Sequence, residues 1–241
     1  MYAILQINET TFNFAFIVTF LACNSKQNNA TTEIKNENPK VQLQKKLNGK
    51  EVVDGLEELN YFILTDSLEL DKVKADFEKA YTDLNFFQGP MRAETLDFMD
   101  NRYFWVDCEE LFEVGGLTEY LGQVQRTFKK LGLQLEYGNE QSLQDQTNWK
   151  HTIEINGNEY AAFDRQFSDI DWGIAYVNFI EMLNVELKLQ GSSEQFYPIN
   201  CANDGSFVLL TVQQLSFVNS HYPNNMEHPT TMSNWKNGVG L

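Results

Sequence analysis

One short stretch of the chain, Asp107, Cys108, Glu109, Glu110 and Glu113, crowds together side chains that can do chemistry. Paired carboxylates are what glycoside hydrolysis requires. If the stretch is extended, Asp107 and Glu109 fall on one face, because side chains alternate along a strand. Runs of acids are more commonly a solvated edge that discourages strand-to-strand association, and that reading is preferred here. Nucleophilic catalysis would draw on Cys108 with His151 and an acid. Asp107 and Glu109 flank Cys108, and neighbouring negative charge disfavours the thiolate. The chain has no G-x-S-x-G elbow either, so Cys108 reads as structural.

Other constellations are weaker. His221 and His228 stand near Glu227, without an H-E-x-x-H or paired C-x-x-C spacing, so no metal is expected. Asn203-Asp204-Gly205 has the composition of part of a calcium loop but lacks the ligand at the loop's far end, and it reads as a turn. Gly115-Gly116 is followed by no Lys-Ser or Lys-Thr pair, so no phosphate cradle and no cofactor are expected. Tyr103, Phe104, Trp105, Tyr160, Trp172, Tyr176, Phe196 and Tyr197 could line a ligand cleft, but at strand and helix spacing such residues are more often core. Trp149 lies in a polar context and is the better candidate for an exposed contact.

Charge narrows the choice of partner. The chain carries 34 acidic and 18 basic residues, a formal net charge of −16. Such a surface repels phosphate backbones, which argues against nucleic acid. It favours a basic protein partner and speeds its capture. The plainer reading is that the excess keeps the protein soluble.

The amino terminus has its own logic. Phe12 to Ala22 is apolar except for Asn13 and Thr19, which is too short to span a bilayer and the right length for the apolar region of a signal peptide. It ends in Phe20-Leu21-Ala22-Cys23, which resembles the lipobox of bacterial lipoproteins, with Phe20 where Leu is usual and no Lys or Arg ahead of the apolar run. The resemblance implies that Cys23 is acylated, becomes the first mature residue and holds the protein to the lipid bilayer of the bacterial cell envelope, facing the periplasm or the cell surface. Asn24 to Asn38 contains one sizeable apolar residue, Ile34, and reads as a flexible tether. Lipidation of Cys23 would leave Cys108 and Cys201, as buried thiols or, if the fold brings them together, a disulfide.

Beyond the tether, strands alternate with amphipathic helices. Tyr61–Leu64 is a short apolar run that reads as a buried strand. Leu70, Val73, Phe77, Tyr81 and Leu84 follow at helical spacing. Tyr103–Val106 and Leu111–Val114 predict one long strand or two joined ones. Leu117 to Leu131 forms a second helical stripe, ended by Gly132, and Leu133, Leu135 and Tyr137 alternate as a half-buried strand would. Asn156-Gly157 between two apolar runs predicts a type I′ hairpin over His151 to Phe163. Asp171 can cap a strongly apolar helix from Trp172 to Leu187. Strands are expected at Phe196–Ile199 and Phe207–Leu210, and Thr211 can cap a last short helix.

These elements predict a single α+β domain, a mixed or antiparallel sheet with about three amphipathic helices packed on it. The organisation expected is a signal peptide over 1–22, the lipidated cysteine and tether over 23–45, the acidic domain over 46–222 and a loose tail over 223–241 apart from docking by Trp235. The function this favours is a non-catalytic, envelope-anchored interaction protein, of the immunity type, which recognises a basic protein. Its contact residues would be Asp107, Glu109, Glu110, Glu113 and Trp149. A solute- or peptide-binding lipoprotein with an aromatic cleft, or a hydrolase with an unrecognised site, are the alternatives.

Overall fold

The computed structural model describes residues 46–83, 87–95, 97–168, 170–201, 204–222 and 228–241. The expected leader, tether and Cys23 lie outside these residues. The architecture is α+β, with two three-stranded antiparallel sheets and helices around them.

The first sheet has the order β1 (Tyr103–Asp107), β6 (Asp204–Thr211), β5 (Glu194–Cys201). Alternation sends its side chains into two separate cores. Phe104, Val106, Phe196, Phe207 and Leu209 join one core with α4 (Gly116–Lys130) and α5 (Asp171–Leu189). Tyr103, Tyr197, Ile199, Val208 and Leu210 join the other, under α1 (Gly49–Glu58) and α2 (Leu70–Asp83). The sheet is therefore a middle layer. The second sheet, β2 (Tyr137–Gln144), β3 (Trp149–Ile155), β4 (Asn158–Arg165), adds Ile153, Ile155 and Ala162 to the first core.

Local chemistry explains most boundaries. Asn48 and Glu51 form a reciprocal capping box that starts α1. Thr211 and Gln214 do the same for α6 (Val212–His221). The Asn156-Gly157 turn has φ of 49° and 81°, as a type I′ hairpin requires. Asn156, Asn158 and Tyr160 then bind the carboxylate of Glu186, which is 1% exposed on α5. Asp171 accepts the amide and hydroxyl of Ser168 across the entry to α5.

Four segments differ from expectation. Tyr61–Leu64 is a 3-10 turn and not a strand, because Asn60 enters the left-handed region (φ 60°) after α1 and turns the chain; Ile63 is left 65% exposed. Leu111–Val114 does not continue β1. The Asp107 carboxylate accepts the amides of Glu109 and Glu110 and starts α3 (Cys108–Phe112). The strand expected over Leu133 to Tyr137 begins only at Tyr137, where pairing with Ile155 starts. Residues 228–241, expected to be loose apart from Trp235, include α7 (Met232–Val239), capped by Thr231, with Trp235 buried against Tyr176 at a ring separation of 5.2 Å.

An ionic clamp ties the layers together. Arg102 is fully buried, donating to the carbonyls of Tyr61 and Leu209 and to Glu194 Oε1 at 3.0 Å. Beside it, the buried Asp100 accepts the Tyr61 hydroxyl at 2.5 Å and the amides of Arg102 and Tyr103. Burial pushes the Asp100 carboxyl above its ordinary value, against the pull of these donors.

Candidate functional site

One row of the first sheet carries a solvent-exposed aromatic side chain. Register places Trp105 opposite Ser206, and Ser206 opposite Asn200. This row lies on the same face as Tyr103 and Val208, yet Trp105 is 43% exposed. Trp105, Ser206 and Asn200 line a groove of about 800 Å³ together with Met91, Phe98 and Glu119, Tyr120 and Gln123 of α4.

Acids define its chemistry. Asp107, Glu110 and Glu119 line the groove, and among the described residues no Lys or Arg does so. Tyr120 organises this wall. Its hydroxyl accepts the Asp107 amide at 2.9 Å and donates to Glu110 Oε2 at 2.8 Å. Burial first, and the Glu110 hydrogen bond second, push the Tyr120 phenol well above its ordinary value, so it remains a donor. Arg126 borders an adjoining hollow but is committed to Asp66. Asp66 also binds Lys130 and Arg92, which draws those cations into one local network.

Of the contact residues expected from sequence, the structure brings Asp107 and Glu110 together at the groove. Glu109 and Glu113 are exposed on α3 and at its end, and neither lines it. Trp149 is half-buried and stands apart. Its ring packs on Phe112 at 4.2 Å and near Phe163 and Phe167, while its indole N–H donates to Ser142. Polar neighbours in sequence gave no hint of these aromatic neighbours in space. Of the aromatics named as possible cleft walls, Tyr103 and Trp105 line the groove. Phe104, Tyr176 and Phe196 are core, as their spacing implied. Glu119 and Gln123 were not singled out by sequence; their one signal is that they flank Tyr120 on the polar side of a helical stripe.

The nucleophile candidates are not at this groove. Cys108 is buried below the first sheet, where a Cβ on Gly205 would stand 3.0 Å from its sulfur. His151 is 1% exposed, with Nε2 2.6 Å from Glu140 Oε1, and its Nδ1 has no hydrogen-bond partner among the described residues. Among the described residues there is no cluster of His, Cys, Asp and Glu placed to hold a metal ion, and no helix long and apolar enough to cross a membrane. Comparison with known proteins gives no matching family model, no matching curated protein and no matching solved structure.

Proposed function

We propose that this chain is a non-catalytic binding protein, held at the bacterial envelope through acylated Cys23, whose groove receives a basic side chain of a protein or peptide partner. The observation that carries the reading is the pairing of an exposed Trp105 with the carboxylates of Asp107, Glu110 and Glu119 and, among the described residues, no lining cation. A guanidinium or ammonium group over an indole face gains cation–π attraction, and nearby carboxylates add charge-assisted hydrogen bonds. An immunity-type role, in which the acidic surface captures a basic effector, is one form of this function.

The test is calorimetric titration of the full chain with short arginine-containing peptides and with glutamate-substituted controls. The double variant Glu110→Gln, Glu119→Gln is expected to weaken the arginine peptides about tenfold or more, since charged hydrogen bonds of about 1.5 kcal/mol are lost. Equal affinity for arginine and glutamate peptides overturns the reading. A second reading, a small polar solute in the same groove, draws on the amides of Gln88, Gln123 and Asn200. Its mark would be binding of a neutral polyol to both proteins alike. For the anchor, Cys23→Ala is expected to leave the chain unacylated and move it to the soluble fraction; unchanged membrane partitioning would sink the lipoprotein assignment.

A further inference from the structure

The backbone of β1 beside the groove points to how a ligand would be held. Among the described residues β1 is an edge strand, with β6 as its one neighbour in the sheet. In an antiparallel ladder, bonded and non-bonded pairs alternate. The Leu209 amide donates to the Arg102 carbonyl at 2.9 Å, so that pair is a bonded one. Register then makes Phe104 with Phe207, and Val106 with Gly205, the next bonded pairs. Tyr103, Trp105 and Asp107 therefore turn their backbone groups away from β6.

Two of these outward amides are already used. Tyr103 N–H donates to Asp100 and Asp107 N–H donates to the Tyr120 hydroxyl. The outward N–H and C=O of Trp105 have no hydrogen-bond partner among the described residues. They lie at a residue 43% exposed in the groove, where an unpaired edge is a template for another strand.

We infer that the groove binds an extended basic peptide by strand addition, with one ligand residue closing a two-bond ring on the N–H and C=O of Trp105. This rests on the basic-ligand reading above and names its ligand class. The site admits a single ring, because the amides two residues to either side are committed to Asp100 and Tyr120. A residue paired opposite Trp105 places its side chain on the same face as the indole. Trp105 lines the groove together with Asp107, Glu110 and Glu119, so the paired residue is an arginine or lysine. Charge complementarity thus sets the side chain, and the backbone of Trp105 sets the extended conformation.

The probe is an acetylated, amidated five-residue peptide of alternating valine and arginine, together with analogues that carry one N-methyl group at each position in turn. N-methylation removes a backbone donor and keeps the charge. Methylation at one residue alone is expected to weaken binding to the full chain about tenfold, the equivalent of one well-made hydrogen bond. The parent peptide is also expected to slow hydrogen exchange of the Trp105 amide. Analogues that all bind like the parent, or free arginine amide binding as tightly as the peptide, would overturn strand addition and leave the basic-ligand reading standing. Failure of the parent peptide to bind at all, or binding equal to that of its glutamate counterpart, would remove both.

Discussion

At the scale of single residues, Tyr120 holds the groove's acidic wall in place. Its ring is 3% exposed in the core, while its hydroxyl joins the end of β1 to Glu110 on α3. One oxygen therefore satisfies a backbone donor and orients a carboxylate. Tyr120→Phe keeps the ring and removes that oxygen. The expected result is a fold retained with about 1 kcal/mol less stability in urea unfolding, since the Asp107 amide loses its acceptor. Affinity for an arginine peptide should fall several-fold because Glu110 is no longer held. Stability reduced with affinity untouched would show that Glu110 needs no such support. Asp107 has a comparable double role. Its carboxylate caps α3 through the amides of Glu109 and Glu110 and also lines the groove, so a substitution there confounds stability with binding.

At the scale of elements, the start of α4 depends on a side chain from another sheet. Gly115 precedes the helix with φ 95° and supplies no side-chain cap. Glu140 of β2 substitutes for one: its carboxylate accepts the Gly115 amide at 2.8 Å and the Thr118 hydroxyl, and it meets His151 Nε2. Burial raises the Glu140 carboxyl, but the bonds from Thr118, Gly115 and His151 outweigh it and leave the group below its ordinary value. The folded form thus binds this proton less tightly than the unfolded form. Its contribution is complete above the ordinary carboxylate range and is lost as pH falls through the depressed value. Glu140→Gln is expected to cost about 1–3 kcal/mol at neutral pH and to flatten the acid limb of the stability curve, as read by urea unfolding across pH. An acid limb as steep as that of the parent chain would assign the pH dependence elsewhere.

Elements of this size also show what the sequence discloses. α2, α4 and α5 are long enough for their apolar stripes to be unambiguous, and the Asn156-Gly157 hairpin has a turn chemistry few other conformations want. Tyr61–Leu64 and Leu111–Val114 are too short for periodicity to separate strand from turn or helix. The capping role of Asp107 and the left-handed turn at Asn60 decide them instead. β2 is an edge strand with most side chains exposed or half-exposed, so it carries no alternation to detect. The groove was half legible. Asp107, Glu110, Tyr103 and Trp105 could be picked out by type, but their meeting depends on how α3 and α4 pack beside β1, which is a property of packing.

At the scale of the whole molecule, the charge excess works on stability and on binding in opposite directions. The net charge is −16, and residues 1–45 contribute none of the acidic excess, since Lys26, Lys35, Lys40 and Lys45 outnumber Glu9, Glu33 and Glu37. The repulsion is therefore concentrated in residues 46–241. Several of its cations are spent locally: Arg102 is buried on Glu194, and Arg92, Arg126 and Lys130 converge on Asp66. Like charges at close quarters destabilise the compact state, and added salt screens them, the Debye length shrinking from about 10 Å at 0.1 M to about 3 Å at 1 M. Raising sodium chloride across that range is expected to increase the melting temperature. The same screening should weaken the groove's hold on an arginine peptide, because that attraction is electrostatic and open to solvent. Thermal melts and titrations on one set of samples would read both trends. If both fell together, surface ion pairs such as the Asp66 network would outweigh the repulsion in stability; if affinity held constant, cation recognition by Asp107, Glu110 and Glu119 would lose its basis.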